Sequence, residues 1–470
     1  MLIEKSFKFS GLWRKVVVGT FVALVAQQVY GQETKVLLKG RYLELQGGFA
    51  IPELQDELGT PNMIWSTLTL DKLPGSTKWV FGHPAGYVVE LEEPGALGTG
   101  DVSTWPELTM GRYQPVLQQV DNGTTAGAFW LDADTVLASV RKSYRSGFAE
   151  NTLAAVDMNT GAKTFYSITD PNDTGNDVAN FHVLQALGAG FMRVNDPIWG
   201  ALVAKGNDFM LGRGGYDVLG SPLGPALGSW NVGDPHATFI IDHPDDYPAR
   251  RDPYYTYPSL DPNTYDKVQL PIWKDPDAED GFWQAGDVGG LAHINHPTVK
   301  GVVATHNHGR GVHDYRAQGD GGSGKYFLVK EPSVFYSPDS SGGNRSDHES
   351  ETENQAYPDG NYARVGLVYD PADLERVAAG ELQPWELDAQ RFEWPKSGLP
   401  FTDEARTPTQ LGGVYWDNDR QLLWVAMKWP KPAKLVAYSL VVDDSRPEEE
   451  VVIPPLFGAP PNPPKNIDMQ

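Results

Sequence analysis

The sequence predicts an all-β fold, a β-propeller of about seven four-stranded blades with long loop insertions and a short helix. Three observations carry this. Short apolar runs of strand length follow one another, separated by Asp, Asn and Gly turn residues. One strand–turn–strand unit recurs near both ends of the chain. The composition, with Gly 50, Pro 37 and Cys 0 in 470 residues, describes a chain that turns often and is held by sheet packing rather than disulfides.

In chain order, residues 1–31 read as a signal peptide: Lys5, Lys8, Arg14 and Lys15, then the apolar run Val16 to Val25, then the small-residue exit at Gly31. A spanning helix needs roughly 20 apolar residues, about twice the length of that run. Residues 32–450 are expected to form one propeller domain. Trp79 to Leu91 reads as strand, turn, strand. Four short strands then follow at Ala128 to Leu131, Thr135 to Tyr144, Leu153 to Asp157 and Lys163 to Ile168, with turns at Asp132 to Asp134 and Asn159 to Gly161. Four antiparallel strands in succession make one blade.

The unit at Gly127 to Val140 returns at Leu411 to Met427, each an aromatic-rich strand, an acidic turn and an apolar strand, and Lys434 to Val442 follows as a further strand. One helix signal interrupts them: Asp370 as N-cap, Pro371 at the first helical position and Gly380 at the end, with Leu374, Val377 and Ala378 on one face. A weaker helix is expected over Pro197 to Lys205. Asp242 to Asp266 and Asp314 to Asp359 read as long loops, and long loops inside a compact protein are usually functional or disordered. Residues 451–470 form a Pro-rich, extended C-terminal tail.

The order of motifs resembles a family of secreted bacterial propeller proteins with no assigned activity. Carrying the resemblance are Trp65 to Leu68, Trp79 to Leu91, Gly127 to Tyr144, Ala189 to Arg193 with Ile198 and Trp199, Gly301 to Gly311, Val365 to Leu387 and Leu411 to Met427. It spans nearly the whole chain after residue 31 and implies the propeller fold and export. That family often places Gly, aromatic and Cys residues after the strand matching Gly301, where this chain has histidines, so no chemistry carries over.

Histidine placement is the chemical signal. Of 10 histidines, seven fall between His236 and His313. His306 and His308 follow an apolar strand, and residues two apart on a strand share a face. Asp287 precedes them; His313, Asp314, Tyr315 and Arg316 follow. Imidazole and carboxylate suit a divalent metal, zinc or calcium, with His306, His308, His313 and Asp287 as the candidate ligands. The same residues also fit a polar pocket without metal, or plain structural roles, since no fixed-spacing zinc motif is present. As a catalytic set, His308, His313 and Tyr315 are candidates to move a proton, while Arg316 or Arg310 neutralises a carboxylate. For hydrolysis by paired carboxylates the candidates are Asp132, Asp134, Asp287 and Asp314, of which Asp132 and Asp134 read as turn residues. The Gly-rich bend Leu211 to Tyr216 lacks a phosphate-cradle pattern.

The net charge of −23 and a pI near 4.8 repel phosphate backbones and anionic lipid. No nucleic-acid partner is therefore expected, and no membrane partner once the signal is removed. The resulting expectation is a secreted or periplasmic propeller with a small-molecule or polysaccharide ligand, acting as a polysaccharide lyase or glycoside hydrolase through a His-rich funnel. The alternative is a non-catalytic ligand-binding or scaffold propeller.

Overall fold

A computed structural model of the chain describes residues 35–52, 70–83, 86–116, 123–142, 153–166, 187–194, 196–207, 209–213, 227–234, 238–241, 286–309, 328–331, 334–336, 362–382, 387, 390–395, 399, 411–427 and 432–447. The expected signal peptide and Pro-rich tail lie outside these residues, as does the expected loop at Asp242 to Asp266.

Two strands open the described chain, β1 (Val36–Leu37) and β2 (Leu43–Ala50). A first antiparallel sheet then follows in order from β3 (Leu70–Lys72), β4 (Lys78–His83), β5 (Tyr87–Glu92) and β6 (Thr109–Pro115). A second comprises β7 (Gly123–Trp130), β8 (Thr135–Lys142), β9 (Leu153–Asp157) and β10 (Lys163–Tyr166). A third has β11 (Leu187–Arg193), β12 (Phe209–Arg213), β13 (Leu227–Trp230) and β14 (Thr238–Ile241), with helix α1 (Pro197–Val203) between its first two strands. The fourth contains β15 (Gly286–Asn295) and β16 (Val299–Gly309). After a small hairpin, β17 (Leu328–Glu331) and β18 (Val334–Tyr336), it resumes with β19 (Tyr362–Tyr369), helix α2 (Pro371–Ala378) and β20 (Gln390–Glu393). Short β1 joins this sheet parallel to the start of β16. The last sheet has β21 (Leu411–Asp417), β22 (Leu422–Met427) and β23 (Lys434–Leu440), and its fourth strand is β2.

Sequence and structure agree on the expected strands of the second and last sheets, as far as Lys142, Tyr166 and Leu440, with Ser143, Tyr144, Ser167 and Ile168 outside the described residues, and on both helices, each capped by an Asp-Pro pair. The Asp196 carboxylate accepts from the Ile198 and Trp199 amides, and that of Asp370 from the Ala372 amide. Two expectations change. The segment Asp314 to Asp359, read as loop, contains the hairpin β17–β18. Seven blades are not seen among the described residues, which hold four four-stranded sheets, a five-stranded one made of β1, β15, β16, β19 and β20, and the two-stranded hairpin β17–β18. The figure of seven rested on chain length alone, and much of that length, 242–285 and 337–361 included, lies outside the described residues.

The arrangement is that of a propeller. β3, β7, β11, β15 and β21 are each an edge strand of their sheet, and these inner strands meet in cyclic order: β3 with β7, β7 with β11, β11 with β15, β15 with β21, and β21 with β3. Between successive sheets lie the cores. Val80 and Val88 of the first sheet pack with Trp130, Val136 and Ala154 of the second. Their neighbours Phe81 and Val89 point the other way, into a core with Trp424, Ala426 and Leu435 of the last sheet. Where a strand is covered on both faces, as β4, β22 and β23 are, it reads as a continuous apolar run, whereas the outer strand β6 alternates.

Closure depends on β2. It pairs antiparallel with β23, so the two ends of the described chain share one sheet. Gly47 and Gly48 allow it. A Cβ on Gly47 would stand 2.1 Å from the Gly98 carbonyl oxygen, and one on Gly48 would stand 2.2 Å from that of Leu435. The Gly48 amide donates to the Gly98 carbonyl at 3.0 Å, and the Gly98 amide returns the bond. Tyr42 and Arg41 donate to the Asp444 carboxylate, tying the start of the strap to the turn after β23.

The inner strands approach equally closely. A Cβ on Gly290 of β15 would lie 2.7 Å from the Val414 amide nitrogen and 2.8 Å from the Gly413 Cα on β21. Backbone cannot yield as a side chain does. Gly290→Ala is therefore expected to cost about 1–3 kcal/mol by overpacking, read as a lowered denaturant midpoint with an unchanged slope. A midpoint equal to that of the wild-type chain would show that the two inner strands are not held at this spacing.

Candidate functional site

The two ends of the ring differ in kind. All five inner strands finish at the same end. The Asp71 carboxylate, near the end of β3, accepts from the Trp130 amide at the end of β7 at 2.9 Å. It also accepts from Arg193 at the end of β11 at 2.6 Å. Lys72 donates to Asp417, at the end of β21, at 3.0 Å. Just past β15, the His296 ring meets the Trp416 ring at 6.0 Å. The inner strands therefore all begin at the opposite end.

The strand-finish end is a closed electrostatic cluster. Arg193 reaches from the third sheet to the first across the tip of the second, donating to the Trp130 carbonyl as well as to Asp71. Its guanidinium also lies 4.2 Å from the Phe129 ring centroid. Two inner strands that are not neighbours in the ring are thereby joined. Beside them, Asp417 accepts from Lys72 and from Arg420, whose guanidinium holds Glu93 with two hydrogen bonds. The Trp79 indole N–H donates to Glu93 as well, at 2.8 Å.

Charge and burial set the protonation of this cluster. Burial pushes the Asp71 carboxyl up, against the pull of Arg193 and the Trp130 amide. Burial also acts to raise Asp417, but the hydrogen bonds from Lys72 and Arg420 outweigh it and hold that carboxyl low. Tyr415, on the same inner strand, is raised by burial and then by the Asp71 charge. Among the described residues, each of these carboxylates already has its cation, so the cluster joins the sheets.

The strand-start end carries the residues singled out from the sequence. His306 and His308 were expected after the strand but stand within β16, in its last four residues. Asp287 is the second residue of β15. The register sets His306 beside Val288 and His308 beside Gly286 on one side, and Val365 and Ala363 of β19 on the other. Asp287 pairs with Asn307, so the ladder places it directly across from neither histidine. The structure thus brings two of the candidate histidines and the candidate carboxylate to one ring end. His313, Tyr315, Arg316 and Arg310 lie outside the described residues. Among the described residues, no group of three or more His, Asp or Glu side chains is placed to hold a metal ion.

Other sequence candidates resolve into structure. The Asp132 carboxylate accepts from the Asp134 and Thr135 amides at 2.8 and 2.9 Å, while Asp134 pairs with Arg112. Both are turn residues, and the paired-carboxylate route to hydrolysis loses them. His293, on β15, is 4% exposed and stacks on Trp199 of α1 with centroids 4.2 Å apart. Burial pushes its pKa down to about 4 despite the nearby Asp196 charge, so it is neutral at pH 7 and serves packing. Sequence reasoning missed Asp71 and Arg193. The only sequence signal for either was an acidic or basic residue closing an apolar strand.

No family model and no curated protein matches the chain. Solved structures to which it bears a likeness include the WD40 repeats of RRP9, at 6% identity and a TM-score of 0.27, covering 80% of this chain and 67% of that one. The Neurospora crassa Pan2 WD40 domain gives 9% and 0.28, covering 87% and 98%. The Myceliophteria thermophila Cps50 (Swd1) β-propeller domain gives 9% and 0.25, covering 81% and 99%. At these scores the likeness carries no argument; the propeller assignment rests on the cyclic order of the inner strands and the closure by β2.

Two outcomes follow for this region. Arg193→Met leaves the Asp71 carboxylate buried without its cation and is expected to cost about 3–5 kcal/mol. The double variant with Asp71→Asn should recover much of that in chemical denaturation, and equal losses in both would contradict a coupled pair. Second, His83 and His293 both have folded pKa values near 4, below the ordinary 6.5. The unfolded chain then binds more protons between pH 6.5 and 4, so their contribution is full above pH 6.5 and falls away as pH drops to 4. His293→Gln should flatten the acid limb of a stability–pH curve by a few kcal/mol; an unchanged limb would mean that His293 titrates normally.

Proposed function

We propose that this protein is an exported ligand-binding propeller whose site lies at the end of the ring where the inner strands begin, with an extracellular polysaccharide as ligand. The observation that carries this is the placement of Asp287, His306 and His308 at that end, opposite the ion-paired cluster. The charges of that cluster are neutralised internally. Export is supported by the charged start, apolar run and small-residue exit of residues 1–31, and no helix among the described residues is long and apolar enough to cross a membrane. The ring itself supplies the rigid scaffold that a site at strand ends requires.

The catalytic form of the proposal is a polysaccharide lyase or hydrolase in which His308, His313 and Tyr315 move protons and Arg316 neutralises a sugar carboxylate. Its support is the sequence order of these residue types, His308 at the end of β16 and the others within seven residues after it. A resident zinc or calcium ion on His306, His308, His313 and Asp287 is the alternative use of the same residues.

The deciding experiment compares the wild-type chain with a His306→Gln/His308→Gln double variant. Binding to neutral and uronate polysaccharides is read by calorimetry, unsaturated or reducing-end products by absorbance, and metal content by elemental analysis. Binding that falls at least about tenfold in the variant, a loss of about 1.4 kcal/mol, is the expected result. Unchanged binding would remove the site. Product formation abolished in the variant would establish the catalytic form, whereas binding without product would establish the scaffold.

A further inference from the structure

A row of rings stands on the first sheet at the same strand-start end. β4 runs toward that end and finishes at His83, β5 starts there at Tyr87, and β6 arrives there with Tyr113. His83 pairs with Tyr87 in the ladder, Tyr87 with Pro115, and Tyr113 stands two residues before Pro115, so the three rings share one face. It is the face that carries Phe81 and Val89 toward the last sheet, and Tyr87 packs at the margin of that core.

The rings touch in sequence. His83 and Tyr87 meet with centroids 6.4 Å apart at an interplanar angle of 74°, and Tyr87 and Tyr113 at 6.2 Å and 61°. Exposure rises along the row: His83 is 3% exposed, Tyr87 is half-buried and Tyr113 is 41% exposed. The buried end is uncharged at neutral pH, because burial pushes His83 down to about 4. The connection between the two strands is held at Gly86. The Gly86 amide donates to the His83 carbonyl at 3.0 Å, and the Gly86 carbonyl accepts from the Val116 amide at 2.6 Å. Tyr113 is therefore a part-exposed aromatic ring buttressed by a second ring against it, at low entropic cost.

We infer that Tyr113, held by Tyr87 and His83, is a stacking platform for a neutral sugar ring, a second contact point for the carbohydrate ligand of the preceding section, on whose reading this rests. The C–H face of a pyranose is apolar and its rim is polar, matching an aromatic face with a phenolic hydroxyl. A protein partner needs about 800 Å² of covered surface on each side, whereas one half-exposed ring offers a small fraction of that. A nucleobase also stacks on such a ring, but its phosphates meet a chain of net charge −23. The same charge favours a neutral sugar unit at this platform, away from the arginines proposed to meet a sugar carboxylate.

Tyr113→Ala, Tyr113→Trp and the wild-type chain are titrated by calorimetry with cellohexaose, xylohexaose and maltohexaose, with circular dichroism and melting as the check on folding. Wild-type binding of at least one of these, weakened about tenfold in Tyr113→Ala and kept within about threefold in Tyr113→Trp, is the expected result. Equal binding by wild type and Tyr113→Ala overturns the platform while the carbohydrate reading stands. Wild-type binding of uronate polymers but of none of the three neutral hexaoses overturns the platform alone. Failure of the wild-type chain to bind any saccharide overturns both.

Discussion

Everything in this ring depends on the pairing of β2 with β23. A propeller sheet has two faces to cover, and each sheet covers them with its two neighbours. The first and last sheets therefore find their second neighbour only if the ring closes. Here closure is made by the start of the described chain lying as the outermost strand on a sheet formed by its end. Without cysteines no covalent bond assists. The work falls to backbone pairing, to the close approach permitted at Gly47 and Gly48, and to the contacts of Tyr42 and Arg41 with Asp444. β1 extends the same strap onto β16, so one N-terminal segment fastens two sheets.

Closure also explains the polar interior at one end. Inner strands that converge on an axis bring their terminal residues together, and a buried charge there is stable only with a partner. Asp71 and Arg193 provide one such pair across non-adjacent sheets. Lys72, Asp417, Arg420 and Glu93 provide another set between the last sheet and the first. Short turns join the first two strands of the first sheet (β3–β4), the second (β7–β8) and the last (β21–β22) at this end.

The opposite end has the properties of a site. Connections into every inner strand arrive there, and so do the ends of β4 and β16. Binding residues concentrate at the ends of strands on a rigid scaffold, and His306, His308 and Asp287 sit at strand ends here. Tyr113, Tyr87 and His83 occupy the same ring end on a different sheet, which would let one extended ligand meet both. The helix pair α1–α2 lies at the other end, where Trp199 stacks on His293 and donates to the Pro371 carbonyl.

By itself the sequence determined the local pattern. Apolar runs punctuated by Asp turns named the strands of the second and last sheets, and Asp-Pro pairs named both helices, because turn and cap chemistry is written in neighbouring residues. It also marked the histidine cluster and the acidic charge. The tertiary structure alone decided which strand closes the ring, how many sheets are described within it, and that Asp71 meets Arg193, since residues 122 positions apart come together only by closure of the sheets around an axis. The same holds for the aromatic row. Tyr87 follows His83 closely, but Tyr113 joins them through the register of β5 with β6, and register is set by how two faces pack, which no local run of residues specifies.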